Sequence, residues 1–323
     1  MLSLQDSLAI INREIEAIQY PENPAGLYEP IAYLLALKGK KIRPAFTLLA
    51  CNLYRDEVDA AIRPALAWEI FHNFTLMHDD VMDKADLRRG RPTVHKKWDE
   101  NVAILSGDAM LILSYIFMTK TVTENIKPLL DLFSRTATEI CEGQQYDMEF
   151  EQRPDVSERE YIEMIRLKTA VMIGACLKSG AIIGGADEKD AQNLYDFGIN
   201  LGIAFQIRDD LLDVYGNPSV FGKKTGGDIL CNKKTYLLIN ALNSADKTDK
   251  EELLKWLECG DKPQEKIVAV RNLYDKLAIP AKVNAAIQFF YEKALTAFQA
   301  VSAGENKKKI LKNIAKDLME REF

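Results

Sequence analysis

The sequence predicts an all-α fold, and three observations carry that expectation. Apolar residues recur at helical spacing almost throughout, strand-type alternation is nearly absent, and the 323 residues include only 17 Gly and 11 Pro, too few for a turn-rich β fold. At 47% hydrophobic content the chain can bury a large core. No repeat, composition shift or low-complexity linker divides it, so a single domain over residues 1–323 is expected.

Along the chain, the helical segments are punctuated by Pro21 to Pro24 and by Lys38 to Pro44, where Pro44 suits the first turn of the helix that follows. A long helix is predicted from near Asp59, with Ala61, Ile62, Leu66, Ile70, Phe74 and Met77 at helical spacing, ending in an acidic string. Breaks follow around Leu87 to Pro92 and at Arg153-Pro154, and helical spacing resumes through Ile162, Ile165, Leu167 and Ile173. A second long helix is predicted from near Glu188 and ends in another acidic string. Further breaks fall at Gly216 to Gly227 and around Gly260 to Pro263, and Lys307, Lys308, Lys309 and Lys312 mark a solvated amphipathic helix near the end.

Composition excludes several functions. A net charge of −6 and a pI near 5.4 argue against nucleic acid as a partner. Cys51, Cys141, Cys176, Cys231 and Cys259 are odd in number and show no CxxC spacing, which fits packing residues in a reducing compartment. The N-terminus has neither a basic nor an apolar leader region, and no run of about eighteen apolar residues occurs, so a cytoplasmic protein without an integral membrane segment is expected.

The two acidic strings are Asp79-Asp80-Val81-Met82-Asp83 and Asp209-Asp210-Leu211-Leu212-Asp213, the same DDxxD pattern 130 positions apart. On a helix each places two carboxylates on one face with a third beside them. At ordinary Asp usage one such string arises by chance about 0.05 times in a chain this long, and two arise roughly several hundred times less often than observed. Such arrays repel themselves unless cations hold them, and oxygen donors suit Mg²⁺, which binds through one or two carboxylates plus substrate phosphates. A shared hard-cation site is therefore expected, with Asp79, Asp80, Asp83, Asp209, Asp210 and Asp213 as its candidates.

Basic residues accompany the strings. Lys38-Gly39-Lys40-Lys41-Ile42-Arg43-Pro44 forms a basic turn, Arg88-Arg89-Gly90-Arg91 follows the first string and Gly222-Lys223-Lys224 follows the second. Arg offers a planar fork and Lys a point charge, so these loops could grip diphosphates that metals also hold. The three histidines, His72, His78 and His95, lie in or near the first acidic segment. His72 is a candidate phosphate contact, and His78 and His95 are assigned supporting or structural places. No nucleophile elbow occurs, so covalent catalysis is not suggested and metal-assisted ionisation of a phosphate ester is.

In this order the motifs resemble the trans-isoprenyl diphosphate synthases, or polyprenyl synthetases, over nearly the whole chain. The resemblance rests on Gly39-Lys40…Arg43-Pro44, the first DDxxD with Arg88-Arg89-Gly90-Arg91-Pro92-Thr93, Gly143-Gln144…Asp147 and Lys168-Thr169. It continues through Gln206…Asp209-Asp210…Asp213 and Phe221-Gly222-Lys223-Lys224…Gly226…Asp228. It implies a helical bundle around a central cavity, a homodimer, and Mg²⁺-dependent head-to-tail condensation of isopentenyl diphosphate with an allylic diphosphate (dimethylallyl, geranyl or farnesyl). It further implies direct Mg²⁺ ligation by Asp79, Asp83 and Asp209, with Asp80, Asp210 and Asp213 supporting or binding through water. Arg88, Lys168, Gln206, Lys223 and Lys233, with Thr169 beside them, resemble the allylic-diphosphate contacts. Lys40, Arg43, His72 and Arg89 resemble the isopentenyl-diphosphate site.

Three positions depart from the family pattern. Lys38 and Lys41 replace a common glycine and arginine and keep the turn basic, while Asn232-Lys233-Lys234-Thr235 replaces the usual Gly-Lys-x-Thr. Asn tolerates left-handed backbone, so that loop can keep its shape. Product length is expected to depend on Phe71, Phe74 and Thr75, because family side chains one to two turns before the first string form the cavity floor. Phe74 and Phe71 stand about 7.5 Å and about 12 Å from Asp79 along the helix axis. An aromatic at the fifth position before the string with the small Thr75 at the fourth resembles archaeal-type geranylgeranyl synthases, which implies a C20 product with C15 next. Two rivals stay open from the residues alone: a class I terpene cyclase, and a non-catalytic subunit regulating a partner synthase.

Overall fold

The computed structural model describes residues 2–121, 126–216 and 225–320. As expected it is helical, and the only strands among the described residues are β1 (Leu87–Arg88) and β2 (Arg91–Pro92), a hairpin pairing Leu87 with Pro92 and Arg88 with Arg91. The chain forms two compact units whose segments alternate along the sequence. One comprises Met1–Ser134, Ala175–Tyr195 and Ser302–Leu311, and the other Arg135–Gly174, Asp196–Val301 and Lys312–Phe323.

In the first unit, α1 (Leu4–Glu16) starts at a capping box in which Ser3 and Asp6 satisfy each other's backbone N–H. It is followed by α2 (Ala25–Ala36), α3 (Ile42–Asn52) and the 24-residue α4 (Asp59–Met82). Asp83 is the C-cap of α4, so the first acidic string occupies the last turn of this helix, as its spacing predicts. The short α5 (Val94–Lys97) leads to α6 (Glu100–Thr119), whose N-cap Asp99 accepts from the Val102 N–H at 2.8 Å. The core of this unit gathers on α4. Trp68 packs on Phe71 and Phe133 and donates its indole N–H to Ser179 Oγ at 3.0 Å. Burying each of these rings is worth about 1.5–3 kcal/mol.

The second unit is supplied by α7 (Ile126–Gln152) from Arg135 onward, by α8 (Glu158–Ile165) with a second capping box at Ser157 and Glu160, and by a π-helical turn, Arg166–Ala170. Next come α9 (Val171–Gly184) and α10 (Glu188–Tyr215), the latter beginning where the sequence places it and carrying the second acidic string near its end. Later helices are Tyr236–Ser244, Lys247–Glu258, Pro263–Lys276 and Ile279–Gln299. Phe197 stacks on Phe298 at 4.5 Å in this core.

Although no unbroken run of eighteen apolar residues exists, α6 and the stretch Glu158–Gly184 are long and apolar enough on average to cross a membrane. Core helices of folded proteins pass the same test, and Glu158–Gly184 is 72% buried.

Candidate active site

Within the first unit, the last turn of α4, the β1–β2 hairpin and the turn before α3 carry six of the predicted residues: Asp79, Asp80, Asp83, Arg88, Arg89 and Lys40. Asp80 is 2% exposed, and both its oxygens accept from Arg88: Nε at 2.9 and 3.2 Å, and Nη2 at 2.5 Å. Burial pushes the Asp80 carboxyl upward and the Arg88 guanidinium pulls it back. Asp79 stands 4.0 Å from Arg88 Nη2 with 23% of its side chain exposed, and Asp83 is exposed one turn further on. The hairpin turn needs left-handed backbone at Arg89 (φ 53°) and Gly90 (φ 74°), which turns Arg89 toward the basic turn. There Gly39 makes room: a Cβ would lie 2.7 Å from Arg89 Nη1, which itself donates to Leu37 O at 3.3 Å.

Arg43, in the first turn of α3, places Nη1 3.4 Å from His72 Nε2, and its buried Nε has no hydrogen-bond partner. An unsatisfied buried guanidinium N–H beside a basic turn fits an anion acceptor. Lys40 is exposed, while Lys41 donates to Asn12 Oδ1 at 2.7 Å from a left-handed position (φ 44°). Burial, then Arg43, Arg89 and Arg88, hold the His72 imidazole well below its usual 6.5, so it is neutral. Sequence reasoning missed Glu69, a 2% exposed carboxylate that accepts from Asn73 Nδ2 at 3.0 Å. Burial raises it, while Asn73, Arg89, Arg43 and Lys41 draw it down. Of the other histidines, His78 places Nε2 3.0 Å from Ile104 O, and His95 is buried with neither ring nitrogen hydrogen-bonded.

Phe71, Phe74 and Thr75 lie on α4 before the string. Phe71 is 1% exposed and packs on Trp68, Phe74 and Phe133, whereas Phe74 retains 9% and meets Phe71 at 5.5 Å and His78 at 4.8 Å. Thr75 Oγ1 donates to His72 O at 2.8 Å.

In the second unit a hydrogen-bonded chain organises the second string. Thr169 Oγ1 donates to Gln206 Oε1 at 3.4 Å, Gln206 Nε2 donates to Asp210 Oδ1 at 3.3 Å, and Asp210 Oδ2 accepts from the Tyr161 hydroxyl and from the Tyr236 N–H at 3.3 Å. Burial pushes Asp210 up to about 7, with Asp228 adding to the effect and Tyr161 opposing it. Lys168 and Thr169 project from the π-helical turn, a device common at functional sites. Lys168 Nζ donates to Asp147 Oδ2 at 2.7 Å. The Asp213 carboxylate accepts from the Asp228 N–H at 3.0 Å, and burial raises Asp228 to about 6 despite the pull of Lys233. Lys233 follows Asn232, whose φ of 54° meets the expectation of left-handed backbone there. Lys223 lies outside the described residues. Tyr161, 49 positions from its partner Asp210, carries no local pattern by which the sequence could have revealed it.

Among the described residues no three His, Cys, Asp or Glu are gathered so as to hold a metal unaided. That donor set still fits Mg²⁺, which keeps waters and completes its shell with substrate phosphate oxygens. The half-buried Asp79 and the exposed Asp83 fit direct ligation, while Asp80 and Asp210 already accept from protein donors.

Comparison with known proteins points the same way. The family model described as polyprenyl synthetase matches residues 24–277. A geranylgeranyl diphosphate synthase of Methanosarcina mazei is 41% identical over 241 residues, 74% of each chain. A crystal structure of a geranylgeranyl pyrophosphate synthase covers 100% of both chains at 43% identity and TM-score 0.95. The geranylgeranyl pyrophosphate synthetase of Pyrococcus horikoshii OT3 covers 99% of this chain and 97% of its own at 34% identity and TM-score 0.91.

Proposed function

We propose, since this chain belongs to the polyprenyl synthetase family, that it condenses isopentenyl diphosphate with dimethylallyl, geranyl and farnesyl diphosphates to a C20 all-trans product. The chain is a short-chain trans-prenyltransferase; the product, metal, substrate contacts and assembly are the parts proposed. The observation that carries the reading is the pair of intact DDxxD strings, each with an exposed or half-buried outer aspartate and a buried middle one.

On the first string Asp79 and Asp83 would hold Mg²⁺, and on the second Asp209 would; when bound, the metal neutralises charge on the leaving diphosphate. Arg88, Lys168, Gln206, Lys223 and Lys233, with Thr169, hold the allylic diphosphate. Arg43 with its orphan Nε, Arg89, Lys40 and the neutral His72 hold isopentenyl diphosphate. As the allylic C–O bond breaks, charge grows on the diphosphate, so these cations act more strongly in the transition state than before it. The isopentenyl double bond attacks the allylic cation, and the freed diphosphate takes the proton that restores the alkene. Phe74 supports a short product, being less enclosed than Phe71 on the same helix before the string.

A homodimer belongs to the same proposal. Ile104, Leu105, Ile112 and Ile116 are exposed apolar side chains on one side of α6, a side that also carries the exposed Asp108. Cytoplasmic location is supported by the five free cysteines. The single-domain assignment is supported by the family match, which runs through segments of both compact units.

The deciding experiment incubates purified protein and Mg²⁺ with radiolabelled isopentenyl diphosphate and C5, C10 or C15 primers, then sizes the products. A C20 product is expected. Hydrocarbon released from farnesyl diphosphate without isopentenyl diphosphate would make the chain a cyclase, and no consumption with any primer would make it a non-catalytic subunit.

A further inference from the structure

Asn232, where the family pattern has glycine, does more than tolerate a left-handed backbone. Its Nδ2 donates to Leu257 O at 2.8 Å, and its Oδ1 accepts from Lys266 Nζ at 2.7 Å. Lys266 Nζ also donates to Leu257 O at 3.2 Å, so amide, ammonium and carbonyl each touch the other two. Leu257 lies in the last turn of Lys247–Glu258, where carbonyls lack helical partners and a cation is favoured. Lys266, in the first turns of Pro263–Lys276, is only 3% exposed, and both acceptors that hold it are neutral. Burying an ammonium against neutral groups is costly unless its hydrogen bonds are kept, so this triangle resists opening.

The triangle sits next to the loop that carries Lys233. The Lys233 N–H donates to Asp228 O at 2.9 Å, the Thr235 N–H to Lys233 O at 2.9 Å, and the Tyr236 N–H to Asp210 Oδ2 at 3.3 Å. A continuous set of bonds therefore runs from Lys266 through Asn232 and Lys233 to the middle aspartate of the second string. We infer that Lys266 is a positioning residue, clamping Asn232 so that Lys233 is presented to the allylic diphosphate. This rests on the proposed role of Lys233 as a contact of that diphosphate.

The test uses the full-length variants K266M, N232G and their double, with two readouts. Glycine adopts the left-handed backbone without strain, so N232G removes the amide alone and serves if K266M does not fold. Hydrogen exchange over residues 231–236 is expected to quicken about tenfold in each variant, because a buried bond set is opened. The KM for geranyl diphosphate is expected to rise about tenfold while that for isopentenyl diphosphate stays within about twofold, and the double variant to be no worse than either single one. Unchanged exchange in the folded variants, equal rises in both KM values, or additive effects would overturn the clamp. If the wild-type protein turns over neither substrate, the functional reading falls separately and exchange alone decides the clamp.

Discussion

Asp80 is 2% exposed and held on both oxygens by Arg88, whereas Asp79 beside it keeps 23% of its side chain exposed. Removing one partner of a buried charge pair leaves the other uncompensated, at about 3–5 kcal/mol. Asp80→Ala is therefore expected to lower unfolding free energy by about 3 kcal/mol in urea titrations, since Arg88 keeps some solvent access. Asp79→Ala should leave that titration nearly unchanged and abolish turnover; near-normal rates with added Mg²⁺ would remove Asp79 from the ligand set. His72 supplies a pH prediction. Its folded-state pKa is depressed, so below 6.5 the unfolded chain takes up a proton that the folded chain refuses, and stability falls as pH falls through that window. His72→Gln should flatten the acid side of the stability curve, as followed by thermal melts from pH 7 downward. The candidate residues were legible here because their chemistry is local to short motifs. Glu69 and Tyr161 were not, because a buried carboxylate in an apolar helix and a distant tyrosine gain their roles only from packing.

The limits of α4 and the start of α10 agree with the apolar period and acidic endings, so the long elements were legible. The π-helical turn was not, since Arg166–Ala170 continues a helical pattern without a break in composition. It is closely packed. A Cβ on Gly143 would stand 2.3 Å from Lys168 N, and one on Gly202 would stand 2.7 Å from Ala170 Cα, so two bare glycines hold the turn. Gly143→Ala must displace backbone that carries Lys168, and the KM for the allylic substrate is expected to rise about tenfold or more, measured at saturating isopentenyl diphosphate. On α4, Phe74→Ala should open space next to the string and lengthen the product, with chromatography unchanged from wild type counting against the floor assignment. Phe71→Ala should instead cost about 3–5 kcal/mol of stability, because Phe71 is enclosed by Trp68, Phe74 and Phe133.

For the whole molecule, the helical class and large core follow from composition and period, whereas the division into two interleaved compact units has no composition signal because helices α7, α9 and α10 each pass from one unit's residues to the other's without a break. Assembly is the property to test at this scale. Charged substitutions at Leu105 and Ile112 on the exposed face of α6 are expected to convert a dimer to a monomer in light scattering. A monomeric wild type would remove that proposal. The middle aspartates have a last consequence, for descent. Because the buried Asp80 is tied to Arg88, and the buried Asp210 to Tyr161 as well as to Gln206 and the Tyr236 N–H, losing Arg88 or Tyr161 takes a donor from a carboxylate in the interior. On the proposed roles the outer aspartates answer to the substrate and should stay fixed wherever the reaction is kept. The middle ones answer to a neighbour, so among related chains they should drift only as matched pairs, and a covariation signal at 80 with 88 and at 210 with 161 would record the scaffold separately from the chemistry.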